Sequence, residues 1–196
     1  MKNRLMIRLF LCLALIQLVV PLSMIARREF VLRDGAQFKF KVAPVDPYDA
    51  FRGRYVALRI DENYVPAIKN EKIKRGQAVF VVINLDAQGF ARLSEVTTGR
   101  PRRGSYIRAN VSNVYNDKIY LDLPIDRYYM EEKSAPLAEK IYQRYSQRDK
   151  KDAYVVVRIK DGFVVIESLY VGGQKIEDMV KQGMKNPNRL GLRGIR

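Results

Sequence analysis

Asp46 and Asp49, three residues apart in "DPYDAFRG" and followed by Arg52 and Gly53, are residue types from which acid–base catalysis, cation binding or phosphate recognition is built. A second acidic pair, Glu131 and Glu132, stands in "RYYMEEKS" close after Tyr128, and Tyr55 follows the first motif. These eight residues are the candidates for a motif or ligand site. A purely structural account competes for Asp46, Asp49 and Gly53. Pro44 and Pro47 drive Ala43 and Asp46 to extended geometry. Asp46 then suits a helix N-cap, Pro47 the first helical position, and Asp49 the positive end of the turn that Gly53 closes. The stretch reads as strand, one helical turn, strand.

Composition removes whole classes of chemistry. The chain has no His, and its one cysteine, Cys12, lies in an apolar run, so a usual zinc site, a Ser-His-Asp triad, a disulfide and a thiol nucleophile are all excluded from the rest of the chain. A Ser-Lys hydrolase of the membrane signal-peptidase type needs its nucleophile ahead of the Arg-Gly strand, and residues 27–53 contain no Ser, Thr or Cys. No Gly-rich phosphate loop or RNA-binding signature is present. Adjacent acids at a helix start are simply solvated in most proteins, so no metal, no cofactor and no catalytic residue is assigned.

The elements that would position these residues begin with an anchor. Leu9 to Ile25 is seventeen positions without a charge, preceded by Lys2, Arg4 and Arg8. That length suffices for a membrane span, with the basic tip in the cytoplasm and the bulk of the chain outside it. A cleaved signal peptide shares this layout, but its small-x-small site fails at Ala26 because Met24 stands two positions earlier. Arg27 and Arg28 on the far flank reduce the charge asymmetry. The chain therefore divides into tip and anchor (1–26), one folded domain (27–183) and a basic tail (184–196).

Within the domain, "REFVLRD" and "QFKFKVAPV" read as strands around Gly35, and "RYVALRI" puts Val56, Leu58 and Ile60 on one face. Three later hairpins follow, at 78–96, 105–125 and 153–171. The first and last share an Ala start, a Val run and a Gly-Phe turn exit, a similarity that hairpins reach by convergence as readily as by duplication. "SAPLAEKIYQRYSQ" predicts a helix with Ser134 as N-cap and a stripe of Leu137, Ile141 and Tyr145, and "KIEDMVKQGMK" a short one ending before Gly183. The expected fold is α+β and β-rich: an N-terminal transmembrane helix, then a mostly antiparallel sheet or partly open barrel with one packed helix.

The net charge of +15 concentrates in "KNEKIKR", "RPRR", "RDKK" and the tail. Outside the cytoplasm such clusters meet anionic lipid or an envelope polymer more readily than nucleic acid. A solvated face is the plainer reading of any one of them.

Residues 44–60, "PVDPYDAFRGRYVALRI", resemble the hallmark "PvDPrDxxRGdYvxLxY" of the GDYxxLxY family of bacterial membrane-anchored proteins. Arg54 stands where the family has an acid, and Ile60 where it has the last Tyr. "IDRYYMEE" and "AYVVVRIKDGFVVIESLYVGGQ" extend the likeness to about Lys175. The resemblance implies a single-span protein of the bacterial inner membrane with a periplasmic domain, often associated with a multi-span membrane protein. It implies no reaction. Three functions remain open: an accessory domain beside an integral membrane partner, an envelope enzyme using the carboxylates on a glycan or phosphate-containing polymer, and a module binding anionic lipid or polyanion.

If the opening motif is structural, Asp46→Ala in the detergent-solubilised chain lowers the melting temperature, reflecting about 0.5–2 kcal/mol for a lost N-cap. A site role for Asp46 instead leaves the melting curve unchanged or raised while function is lost.

Overall fold

The computed structural model describes residues 2–43, 55–67, 73–146 and 152–185. Helix α1, Lys2–Asp34, is followed by strands β1 (Ala36–Ala43), β2 (Tyr55–Ala57), β3 (Arg59–Ile60), β4 (Tyr64–Pro66), β5 (Ala78–Leu85), β6 (Ala91–Thr97), β7 (Ser105–Tyr115), β8 (Lys118–Asp122) and β9 (Arg127–Tyr129). Then come α2 (Ala135–Ser146), β10 (Ala153–Lys160), β11 (Phe163–Val171), β12 (Gln174–Lys175) and α3 (Ile176–Lys185). The fold is α+β and β-rich, and every ladder between named strands is antiparallel.

Helix α1 is long and apolar enough to cross a membrane, and none of its apolar window is buried. It does not stop where the apolar run ends. "REFVLRD", expected as a strand, is its last two turns, because no Gly or Pro interrupts residues 22–34 and extending an existing helix is easier than nucleating a new element. Gly35 ends it: its N–H bonds the Val31 carbonyl at 2.9 Å, and a Cβ at residue 35 would lie 2.4 Å from that same oxygen. Gly35 does not occupy the left-handed region, so close approach, and not an unusual angle, requires glycine there. The final turns dock on β10 and β11, burying Val31 to 3% exposure.

Two five-stranded sheets follow, in the orders β12-β11-β10-β1-β3 and β4-β8-β7-β5-β6, with β2 and β9 paired separately. In the second sheet the edges β4 and β6 approach each other, nearly closing a small barrel. Its interior is filled by Val65, Val79, Val81, Val96, Ala109, Val111, Ile119 and Leu121. Alternation along β5 sets this up, since Val79 and Val81 turn inward together. The first sheet packs Phe38, Phe40, Val155 and Val157 into a larger core shared with α2 and α3.

Two helices cover that core, the packed helix expected over 134–147 and the short C-terminal one. Helix α2 buries Ala135, Ala138, Ile141 and Tyr142, so its inward stripe is rotated from the expected one, with Leu137 and Tyr145 only partly buried at its flanks. Helix α3 buries Ile176, Met179, Val180 and Gly183 at i, i+3, i+4 and i+7, and so runs through Gly183 instead of ending before it. Full burial of a side chain such as Ile141 or Ile176 contributes about 2 kcal/mol. Glu177 and Asp178 in the first turn of α3 and Lys185 in its last complement the helix dipole.

"RYVALRI" is split. Val56, Leu58 and Ile60 are all buried on one face as the alternation requires, but β2 pairs with β9 while β3 pairs with β1. The chain changes partner at Leu58, whose N–H bonds the Asp126 carbonyl at 2.8 Å. The hairpins β5–β6 and β10–β11 each carry one register shift, yet their turns differ: Asp86 caps the first through its side chain, and Asp161–Gly162, both at positive φ, form the second.

The sheets meet at that second turn. Gly162 forms a parallel bridge with Ile107 of β7, and its carbonyl accepts from Arg108 N–H at 3.1 Å. At Gly162 φ is +80°, and an added Cβ would stand 2.9 Å from both Arg108 Cγ and Tyr106 Cε2. Gly89 has nearly the same φ, +79°, with open space around it. Gly89→Ala is therefore expected to cost about 1–2 kcal/mol for the backbone alone. Gly162→Ala should cost measurably more in thermal unfolding, because Tyr106 and Arg108 must also move; equal losses would refute the contact.

Candidate functional site

Asp46, Asp49, Arg52 and Gly53 lie outside the described residues, but the chain on either side of them is described. On the near side, the Ala43 carbonyl accepts a hydrogen bond of 2.5 Å from the hydroxyl of Tyr142 on α2. On the far side, Tyr55 faces Tyr129 across the β2–β9 ladder, with ring centroids 5.7 Å apart and edge to face. Arg127 lays its guanidinium 5.3 Å from the Tyr55 ring centroid. The motif thus leaves β1 beside α2 and re-enters the fold beside β9.

The ladder register separates two of the sequence candidates. Tyr55 pairs with Tyr129 and Val56 with Tyr128, so Tyr55 and Tyr128 point to opposite faces of the two-stranded unit. Tyr128 turns toward the main core and donates its hydroxyl to Glu177 Oε1 in the first turn of α3. Burial pushes the Tyr128 hydroxyl well above the usual tyrosine value, and the Glu177 carboxylate adds to the rise. Glu177 Oε2 is buried with no hydrogen-bond partner among the described residues. Glu131 and Glu132 are exposed at the turn entering α2, where the Glu131 carbonyl accepts from the N–H groups of Ser134 and Ala135.

Sequence reasoning missed Glu177 and Tyr142. Glu177 looks like an ordinary first-turn acid, and Tyr142 sits off the expected helical stripe. A polar cleft of ≈ 210 Å³ was also missed, lined by Lys41, Asp61, Glu62, Asp86, Phe90 and Arg92. Asp86 accepts from Phe90 N–H at 2.8 Å and Gln88 N–H at 2.9 Å. These bonds, the Phe90 one foremost, and the charges of Lys41 and Arg92 hold its carboxyl below the usual value. Arg92 reaches Asp86 at 3.6 Å and Glu62 at 3.8 Å. Such an ionised, doubly capped carboxylate is a poor general base near neutrality. Among the described residues, no three His, Cys, Asp or Glu side chains are placed to hold a metal ion.

Tyr128→Phe leaves Glu177 Oε1 without its donor and is expected to cost about 1–3 kcal/mol. The pH dependence carries a second signature. A folded-state pKa raised above the unfolded value contributes stability that is present below about pH 10 and lost as pH rises beyond it. Burial also raises the Tyr142 hydroxyl, so Tyr128→Phe should flatten the alkaline fall in melting temperature without abolishing it. An alkaline limb as steep as that of wild type would refute the assignment.

No curated protein and no solved structure matches the chain. A family model described as "GDYXXLXY protein" matches residues 17–169, from the middle of the apolar helix to near the end of β11. The match spans both sheets, the β2–β9 pair with its tyrosines, and the undescribed stretch between β1 and β2, and it stops before Glu177. Over most of its length, therefore, the chain belongs to the GDYXXLXY family.

Proposed function

We propose that this protein is a single-span inner-membrane protein whose folded domain lies on the periplasmic side and acts as a non-catalytic accessory to an integral membrane partner. The observation that carries the partner is Gln17. It is the midpoint of the uncharged run from Leu9 to Ile25, and it is exposed on α1. Pro21, four residues on, has no N–H to return to the Gln17 carbonyl. One residue at mid-bilayer depth thus presents an amide side chain and a main-chain acceptor to a solvent that can satisfy neither. A polar residue from a neighbouring transmembrane helix would satisfy both.

The rest of the reading follows from charge and composition. Lys2, Arg4 and Arg8 favour a cytoplasmic tip. The exposed apolar helix supports retention in the membrane, and its docking through Val31 supports an uncleaved chain, since cleavage near Ala26 would separate the docked turns from the span. Without histidine, and with its thiol in α1, the domain is poorly equipped for hydrolysis.

The test is photo-crosslinking from residues flanking Gln17 in intact membranes, followed by purification in mild detergent. A discrete integral membrane protein should be captured, and Gln17→Leu should reduce the yield several-fold without releasing the chain from the membrane. Recovery of the chain alone, or crosslinking indifferent to Gln17→Leu, would overturn the partner.

A further inference from the structure

We propose that the junction between α1 and the β10–β11 hairpin is a binding site for the headgroup phosphates of anionic phospholipids, built by Arg27 and Arg108 around the ring of Phe163. The inference rests on the reading above that Leu9–Ile25 crosses the bilayer. Arg27 stands two residues past Ile25, about 3 Å further along the helix axis. Its guanidinium lies 3.3 Å from the Phe163 ring centroid. The first residue of β11 is therefore held at the depth where the apolar run gives way to headgroups, and the domain cannot rise away from it without breaking the docked turns of α1.

The charges at this level are out of balance in a specific way. Arg108 of β7 also approaches Phe163, at 5.0 Å, so two guanidinium groups converge on one ring. Neither has a carboxylate partner among the described residues. Two acids at the junction are already engaged: Asp161 with Arg100 at 2.5 Å, and Asp34 with Lys160 at 3.5 Å. Two cations held at one ring, neither with an acid, leave their forks open to an anion. The planar guanidinium fork matches a phosphate better than any other common group. Arg102 and Arg103, exposed in the same loop as Arg100, extend the positive field. Zwitterionic headgroups also carry phosphate, but their own ammonium competes for it, so a net anionic lipid is the fitting occupant.

The full chain is solubilised in mild detergent and titrated with phosphatidylglycerol or phosphatidylcholine, and retained lipid is counted by native mass spectrometry. Wild type should retain phosphatidylglycerol about ten-fold over phosphatidylcholine, and Arg27→Gln/Arg108→Gln should bring the two near parity. Lys118→Gln/Lys181→Gln removes the same charge away from the junction and should keep the preference. Melting curves of both variants check that the fold survives. Equal retention of the two lipids by wild type, or equal loss in the two double variants, overturns the site. So does displacement of the lipid preference by a soluble polyanion such as heparin, which points to an envelope polymer. A chain that alkaline carbonate strips from membranes would sink the anchor reading and this site together, whereas a retained chain indifferent to headgroup charge sinks this site alone.

Discussion

A two-residue turn holds this molecule together. Asp161–Gly162 closes the β10–β11 hairpin of one sheet, and Gly162 bonds through its main chain to Ile107 and Arg108 of the other. The neighbours of that turn extend the junction: Arg100 reaches Asp161, Arg27 covers Phe163, and Lys160 sits over Phe30 of α1 at 3.8 Å. Helix, open sheet and barrel thus converge on four consecutive residues. The barrel has its own small core, but the larger one draws in Ile83, Ala91 and Ile107 from barrel strands, so it depends on the sheets being held in this relation. Only a residue without a Cβ fits the contact, which places a backbone constraint, and not a hydrophobic one, at the centre of the fold.

Much of the architecture can be read from residue pattern because it depends on local alternation. Strands β5, β7, β10 and β11 begin where their apolar runs begin, and the turns Asn116–Asp117 and Asp161–Gly162 take the positive φ values their residue types favour. What cannot be read this way depends on long-range partners. "REFVLRD" has strand-like composition, yet it is helical because a helix was already propagating into it and a docking surface on β10 and β11 awaited it. "RYVALRI" keeps its single buried face, but nothing in its alternation reveals that β2 and β3 belong to different ladders. The stripe of α2 shifted because Tyr142 found an acceptor in Ala43, ninety-nine residues away in sequence.

The candidate site was legible in the same uneven way. Tyr55 and Tyr128 stood out as family positions, and both flank the chain's return into the fold, but period-two geometry sends them to opposite faces. Glu177 could not be singled out from sequence, since an acid in a first helical turn has an ordinary electrostatic reason to be there. Its Oε1, which accepts from the Tyr128 hydroxyl, gives it a second role as the acceptor that ties α3 to the strand paired with the family motif. The polar cleft around Asp86 escaped notice because its residues come from four separate stretches of chain.

The absence of a linker at Gly35 has a consequence for how the domain is oriented. A flexible tether would let a folded domain spin freely about the helix, whereas a helix that runs from Lys2 to Asp34 and then packs into the fold transmits rotation. Each residue along such a helix turns the direction it faces by about 100°. The azimuth of Gln17 on the apolar helix is therefore phase-locked to the azimuth of both sheets. A single residue added to or removed from the stretch between them would leave span length and domain stability nearly untouched while swinging the whole domain through more than a quarter circle.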